Sequence, residues 1–102
     1  MVHRSSDSRL LNNLISHEKE YSKQLYGLLD SSHASFNSLT AFAASSPPPT
    51  SQIILAIAGS LNSVDDALRG YVVAVERWRQ YLADLKDLED EVGNIMRDRE
   101  IL

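Results

Sequence analysis

From Asp7 to Ala44 the apolar side chains return in steps of three and four: Leu11, Leu14, Tyr21, Leu25, Leu28, Leu39 and Phe42, with Glu18, Ser32 and Ser35 in the intervening places. Those steps average the spacing of a coiled-coil seam and predict a helix over about residues 7–45. Leu10, Ile15, Leu29 and Phe36 widen the stripe to either side, so more than one neighbour is expected to cover it. Ser5, Ser6 and Asp7 are each suited to cap its start, because a short side-chain oxygen can accept from an orphan N–H of the first turn.

The stretch SSPPPT, Ser45 to Thr50, is the one strong breaker. Three consecutive prolines hold φ near −65°, remove three donors and push each preceding residue out of the α region, so the helix must end there. A short turn between long helices predicts antiparallel neighbours, with Thr50 or Ser51 capping the next helix. That second helix carries the longest periodic run: Ile54, Ile57, Leu61, Val64, Leu68, Tyr71, Val75, Trp78, Leu82, Leu85, Val92 and Met96, interrupted by Glu89 and closed by Arg99. It predicts helix from about 51 to 101, some 75 Å long at about 1.5 Å per residue. One flank, Ala56, Ser60, Ser63, Ala67, Gly70 and Ala74, is uniformly small and would let another helix approach closely, which would also account for Gly70.

The expected architecture is therefore all-α, an antiparallel hairpin of two long coiled-coil helices forming a single helical domain. Leu25, Leu28, Ile57, Leu61, Val64, Leu68, Tyr71, Val75, Trp78 and Leu82 are the candidate residues of a helix–helix or dimer interface. Two helices cover only one face of each other, and the surplus apolar positions would stay wet in a monomer. At about 1.5–3 kcal/mol per fully buried large side chain, a few such positions decide whether a thin domain is stable. Dimerisation into a four-helix bundle, or a third helix beyond Leu102, would supply the cover. No Gly, Asn or Pro stops the helical pattern of EVGNIMRDREIL, so a longer parent chain is expected, or a dimer partner in place of the missing helix.

Composition adds exclusions. A chain of 102 residues with 24% charged and 43% apolar residues is one modest domain, too short for a large α/β enzyme. Its formal net charge of −4 argues against whole-surface attraction to nucleic acid. The absence of cysteine excludes disulfides and thiolate sites. No apolar run has the length of a membrane span, and the N-terminus lacks a signal-peptide core, so a cytoplasmic protein is expected, peripheral to a membrane at most.

Catalytic constellations are missing. His17 and His33 lie too far apart on one helix to share a metal, and HEKEY lacks the second histidine of a zinc helix. Asp65 with Asp66, and Glu89 with Asp90 and Glu91, are consecutive and point around their helix instead of converging. Glu18 and Glu89 occupy seam positions, where polar residues more often set register than do chemistry. Trp78 between Arg77 and Arg79 reads as an interface anchor. No enzyme, cofactor, metal or small-molecule substrate is expected.

The segments LNNLISHEKEYSKQLYGLL and VERWRQYLADLKDLEDEVGNIMRDREIL, separated by the proline break, resemble the first part of a BAR-like (Bin, amphiphysin, Rvs) domain of the fungal kind, over about Leu10 to Leu102. The resemblance implies an antiparallel homodimer of coiled-coil helices that binds curved membranes through a basic face. Lys19, Lys23, Arg77 and Arg79 are the corresponding candidates for contact with an anionic membrane surface. The expected function is a non-enzymatic dimerisation or scaffold module of a peripheral membrane-associated protein. The alternative is a coiled-coil scaffold for protein–protein interaction with no membrane role.

Overall fold

Helix α1 spans Ser5–Ala44 and helix α2 spans Thr50–Ile101 in a computed structural model that describes residues 5–101. The two are joined by the proline turn into an antiparallel hairpin with no strand among the described residues. The turn shows why the chain breaks there. The amides of Ser45 and Ser46 reach back to the carbonyls of Phe42 and Ala43 at 3.2 Å, closing α1 with tight i−3 bonds. Both serine hydroxyls also donate to the Phe42 carbonyl, at 3.1 and 2.7 Å. Prolines then serve the start of α2 with carbonyls alone: Pro47 accepts from the Ser51 amide at 3.2 Å and Pro49 from Ile53 at 3.1 Å. A missing N–H costs nothing in a first helical turn. The Pro48–Pro49 peptide is cis. Ser5, Ser6 and Asp7, the expected caps of α1, have side chains outside the described set.

The hairpin divides into two compact units. Lys23–Ala74 wraps the turn, and Met1–Ser22 pairs with Val75–Leu102. In the first, Ser32 of α1 meets Asp65 of α2. In the second, Ser22 meets Glu76 and Glu18 meets Trp78, so moving forward on one helix moves backward on the other.

Burial identifies the rows that face across the hairpin. On α1 the covered positions that recur in steps of three and four are 8, 11, 15, 18, 22, 25, 29, 32, 36, 39 and 43; on α2 they are 51, 54, 58, 61, 65, 68, 72, 75, 79 and 82, continuing at 89, 93 and 96, while Thr40, Glu76 and Trp78 are half-buried outside these rows. In heptad letters these are a and d, with Ile15, Ser22, Leu29, Ala58, Asp65 and Val72 at a, and Leu25, Leu61, Leu68, Val75 and Leu82 at d.

One of the two expected rows is therefore displaced by a residue. The d row is the expected one. The second row of the seam is not Leu14, Tyr21, Leu28 and Phe42 with Ile57, Val64, Tyr71, Leu85 and Val92; all of these are exposed at position g. Ile15, Leu29 and Phe36, expected to widen the stripe, lie in the seam instead. Packing explains the choice. Row a carries Ser22, Ala43 and Ala58, whose small size lets the backbones approach, and it brings Asp65 to a hydroxyl partner. The bulkier g row is left outside.

The core that results is small. Among the described residues Leu25, Ala43, Ala58, Val72 and Val75 are the buried hydrophobics. Val75 is fully enclosed and Leu25 is 8% exposed. Leu25→Ala is expected to lower stability by about 2–4 kcal/mol, and Leu55→Ala, at a half-exposed e position, by less than about 0.5 kcal/mol. Urea denaturation monitored by circular dichroism compares the two, and equal losses would contradict the assigned seam.

Candidate functional site

In a helix pair the a row borders e and the d row borders g, and in an antiparallel pair each kind of flank faces its own kind. The hairpin thus has an e side and a g side, and the hydrogen bonds in the Met1–Ser22 and Val75–Leu102 unit follow that division. Ser22 at a donates to Glu76 at e. The Trp78 indole N–H at g donates to the Glu18 carboxylate at d, at 2.8 Å.

The e side is polar. Arg79 reaches the Glu76 carboxylate at 2.9 Å beside the Ser22 hydroxyl, and Ile15, Gln80 and Ala83 complete a shallow groove of about 190 Å³. That volume is below the usual size of a small-molecule site. The Ser22 hydroxyl, followed by the Arg79 guanidinium, holds the half-buried Glu76 carboxyl below its ordinary 4.5, against the opposing effect of partial burial. A lowered carboxyl contributes stability that is complete above the unfolded value and disappears as pH falls through the folded one. Wild-type stability is therefore expected to drop on acidification below about pH 4.5, and Glu76→Gln to remove that component of the slope. Urea midpoints across the acid range test this, and identical slopes for both proteins would refute it.

In the Lys23–Ala74 unit, Asp65 is 4% exposed and accepts from the Ser32 hydroxyl across the seam. A carboxylate this enclosed is costly without its donor. Ser32→Ala is expected to cost about 1–3 kcal/mol in wild type and much less in an Asp65→Ala background. A double-mutant cycle by denaturation reads the coupling, and additivity would show that the pair does not set the layer.

The g side has the opposite character. Of seventeen large hydrophobics exposed among the described residues, fourteen fall at g or at c, the row beyond it. Tyr26, Leu55 and Val73 are the others. Between residues 10 and 95 no Asp, Glu, Lys or Arg occupies a c or g position on either helix, although the seam itself holds Glu18, Asp65, Arg79 and Glu89. In the Lys23–Ala74 unit this face presents Leu28, Phe42, Ile53, Ile57, Val64 and Tyr71, each 40–59% exposed apart from Val64 at 62%. In the other unit the g and c rows present Leu10, Leu14 and Tyr21 on α1 and Tyr81, Leu85, Leu88, Val92 and Ile95 on α2. Patches of this kind on soluble proteins mark interaction surfaces.

The sequence-derived interface residues therefore separate into two groups. Leu25 and Val75 are buried and Leu61, Leu68 and Leu82 half-buried between α1 and α2. Leu28, Ile57, Val64 and Tyr71 are on the outer face, and half-buried Trp78 stands at its border. The small flank Ala56, Ser60, Ser63, Ala67, Gly70 and Ala74 is exposed, and a Cβ added to Gly70 meets nothing within 4 Å, so the protomer itself does not use the close approach these residues permit. The basic candidates do not share a row. Lys19 is at e, Lys23 at b and Arg77 at f, all exposed, while Arg79 is at a and engaged by Glu76.

Among the described residues no group of three or more histidine, cysteine or carboxylate side chains is placed to hold a metal ion. No described helix is long and apolar enough to cross a membrane. No family model, curated protein or solved structure matches the chain.

Proposed function

We propose that the chain is a non-enzymatic helical association module, working as a scaffold by covering its g side with another helical surface. The observation that carries this is the continuous lack of charge at c and g beside a seam that tolerates charge. Ordinary solvated helix faces are rich in Lys and Glu, and a sequence that keeps them off two neighbouring rows is avoiding the desolvation of charge on binding. Other parts of the surface carry ordinary intrahelical pairs such as Arg69 with Asp66 at 3.5 Å, and Gln80 with Asp84 at 3.0 Å. The dispersed placement of Lys19, Lys23, Arg77 and Arg79 favours protein association over docking of a basic face on an anionic bilayer.

A photo-activated cross-linking residue placed at Leu85, and separately at Arg77, distinguishes these roles in native cells. Polypeptide adducts are expected from Leu85 and not from Arg77. Adducts to lipid alone, or lipid-dependent pelleting of the chain with phosphatidylserine vesicles that Lys19→Glu and Lys23→Glu abolish, would move the function to the membrane surface and overturn the association module.

A further inference from the structure

The geometry points to a second copy of this chain as the occupant of the g side in the Lys23–Ala74 unit, packed with α2 antiparallel to α2 of its mate. This inference rests on the association function above and names its partner. The argument is the order of sizes along the outer rows of α2. Ile57, Ser60, Val64, Ala67, Tyr71 and Ala74 alternate large and small without exception, and all six are exposed. Run against itself in the opposite direction, the series places Ile57 opposite Ala74, Ser60 opposite Tyr71 and Val64 opposite Ala67, with the twofold axis between positions 64 and 67. Within residues 57–74 every large side chain then enters a hollow over a small one. Run parallel, the same series sets large against large and small against small, leaving voids beside clashes. A face complementary to its own reverse meets the requirement of an isologous twofold interface, in which each contact occurs twice.

Charge agrees with that occupant. The three large half-exposed side chains of these α2 rows, with the small ones between them, offer on the order of 400–500 Å² per copy, the size of a small interface. The chain carries a net charge of −4, so two copies repel through most of their surfaces. On α2 from Ala56 to Ala74 the f, c and g rows hold no charged residue, so this contact buries none. Gly70 gains a purpose in the assembly: it lies in the f row beside the crossing, where a bare backbone admits the second helix.

The test exchanges sizes across the axis. Sedimentation equilibrium of the full chain is expected to show a dimer at micromolar concentration. Val64→Ala, which leaves a hollow, and Ala67→Val, which crowds one, are each expected to weaken the dimer about tenfold or more. The combined exchange, Val64→Ala with Ala67→Val, restores large opposite small and is expected to recover most of the affinity. Circular dichroism of each variant, with Leu55→Ala as a control off the face, verifies that the hairpin stays folded. A wild-type chain that remains monomeric at about 200 µM would overturn the second copy as occupant. Polypeptide adducts at Leu85 to a different chain would, in that case, leave the association module standing. A dimer that ignores Ala67→Val, or that the exchange weakens further than either single change, would overturn the antiparallel α2 pairing.

Discussion

Each helix of this protein carries three neighbouring apolar rows, and one partner helix covers only two of them. Everything else in the structure follows from which row is left out. The d row is central and belongs to the seam in any arrangement. The choice lies between a, with its Ser, Ala and Asp, and g, with its Leu, Ile, Tyr and Trp. The hairpin takes the smaller and more polar row inward, and Ser32 meets Asp65 while Ser22 meets Glu76. The greasier row faces out.

That arrangement gives the two sides of the hairpin different physical roles. On the e side, polar side chains are satisfied within the protomer, as in the cluster of Ser22, Glu76 and Arg79. Such pairs add little net stability but penalise a slipped register, because sliding one helix by a turn would leave Asp65 enclosed without its donor. On the g side, Trp78 is tied to Glu18, but most of the large apolar side chains stay 40% or more exposed. Among the described residues five buried hydrophobics stand beside seventeen large exposed ones, so the apolar surface the hairpin covers is small against the apolar surface it leaves open.

The candidate site was only partly legible. Leu28, Ile57, Val64 and Tyr71 stood out as apolar and periodic, yet periodicity cannot say whether such a row meets α1 or a further helix. The lack of charge at c and g is present in the sequence but becomes visible only when the seam is correctly numbered, since a one-residue displacement mixes charged and uncharged rows. Gly70 and its small neighbours pointed to close approach, and the hairpin does not supply it. The polar cluster of Ser22, Glu76 and Arg79 had no sequence signal, because its members lie far apart in the chain and meet only through the register.

The sequence by itself determined the helices, their break and their antiparallel return, since these depend on local backbone chemistry: heptad spacing within each segment and prolines that cannot continue a helix. Tertiary structure alone decided which pair of rows forms the seam. The competing pairs differ by a rotation of only about 50° about each helix axis and both are apolar, so the outcome turns on how closely two backbones can pack and whether buried carboxylates find donors. Those are properties of the helix pair, and neither helix carries them alone.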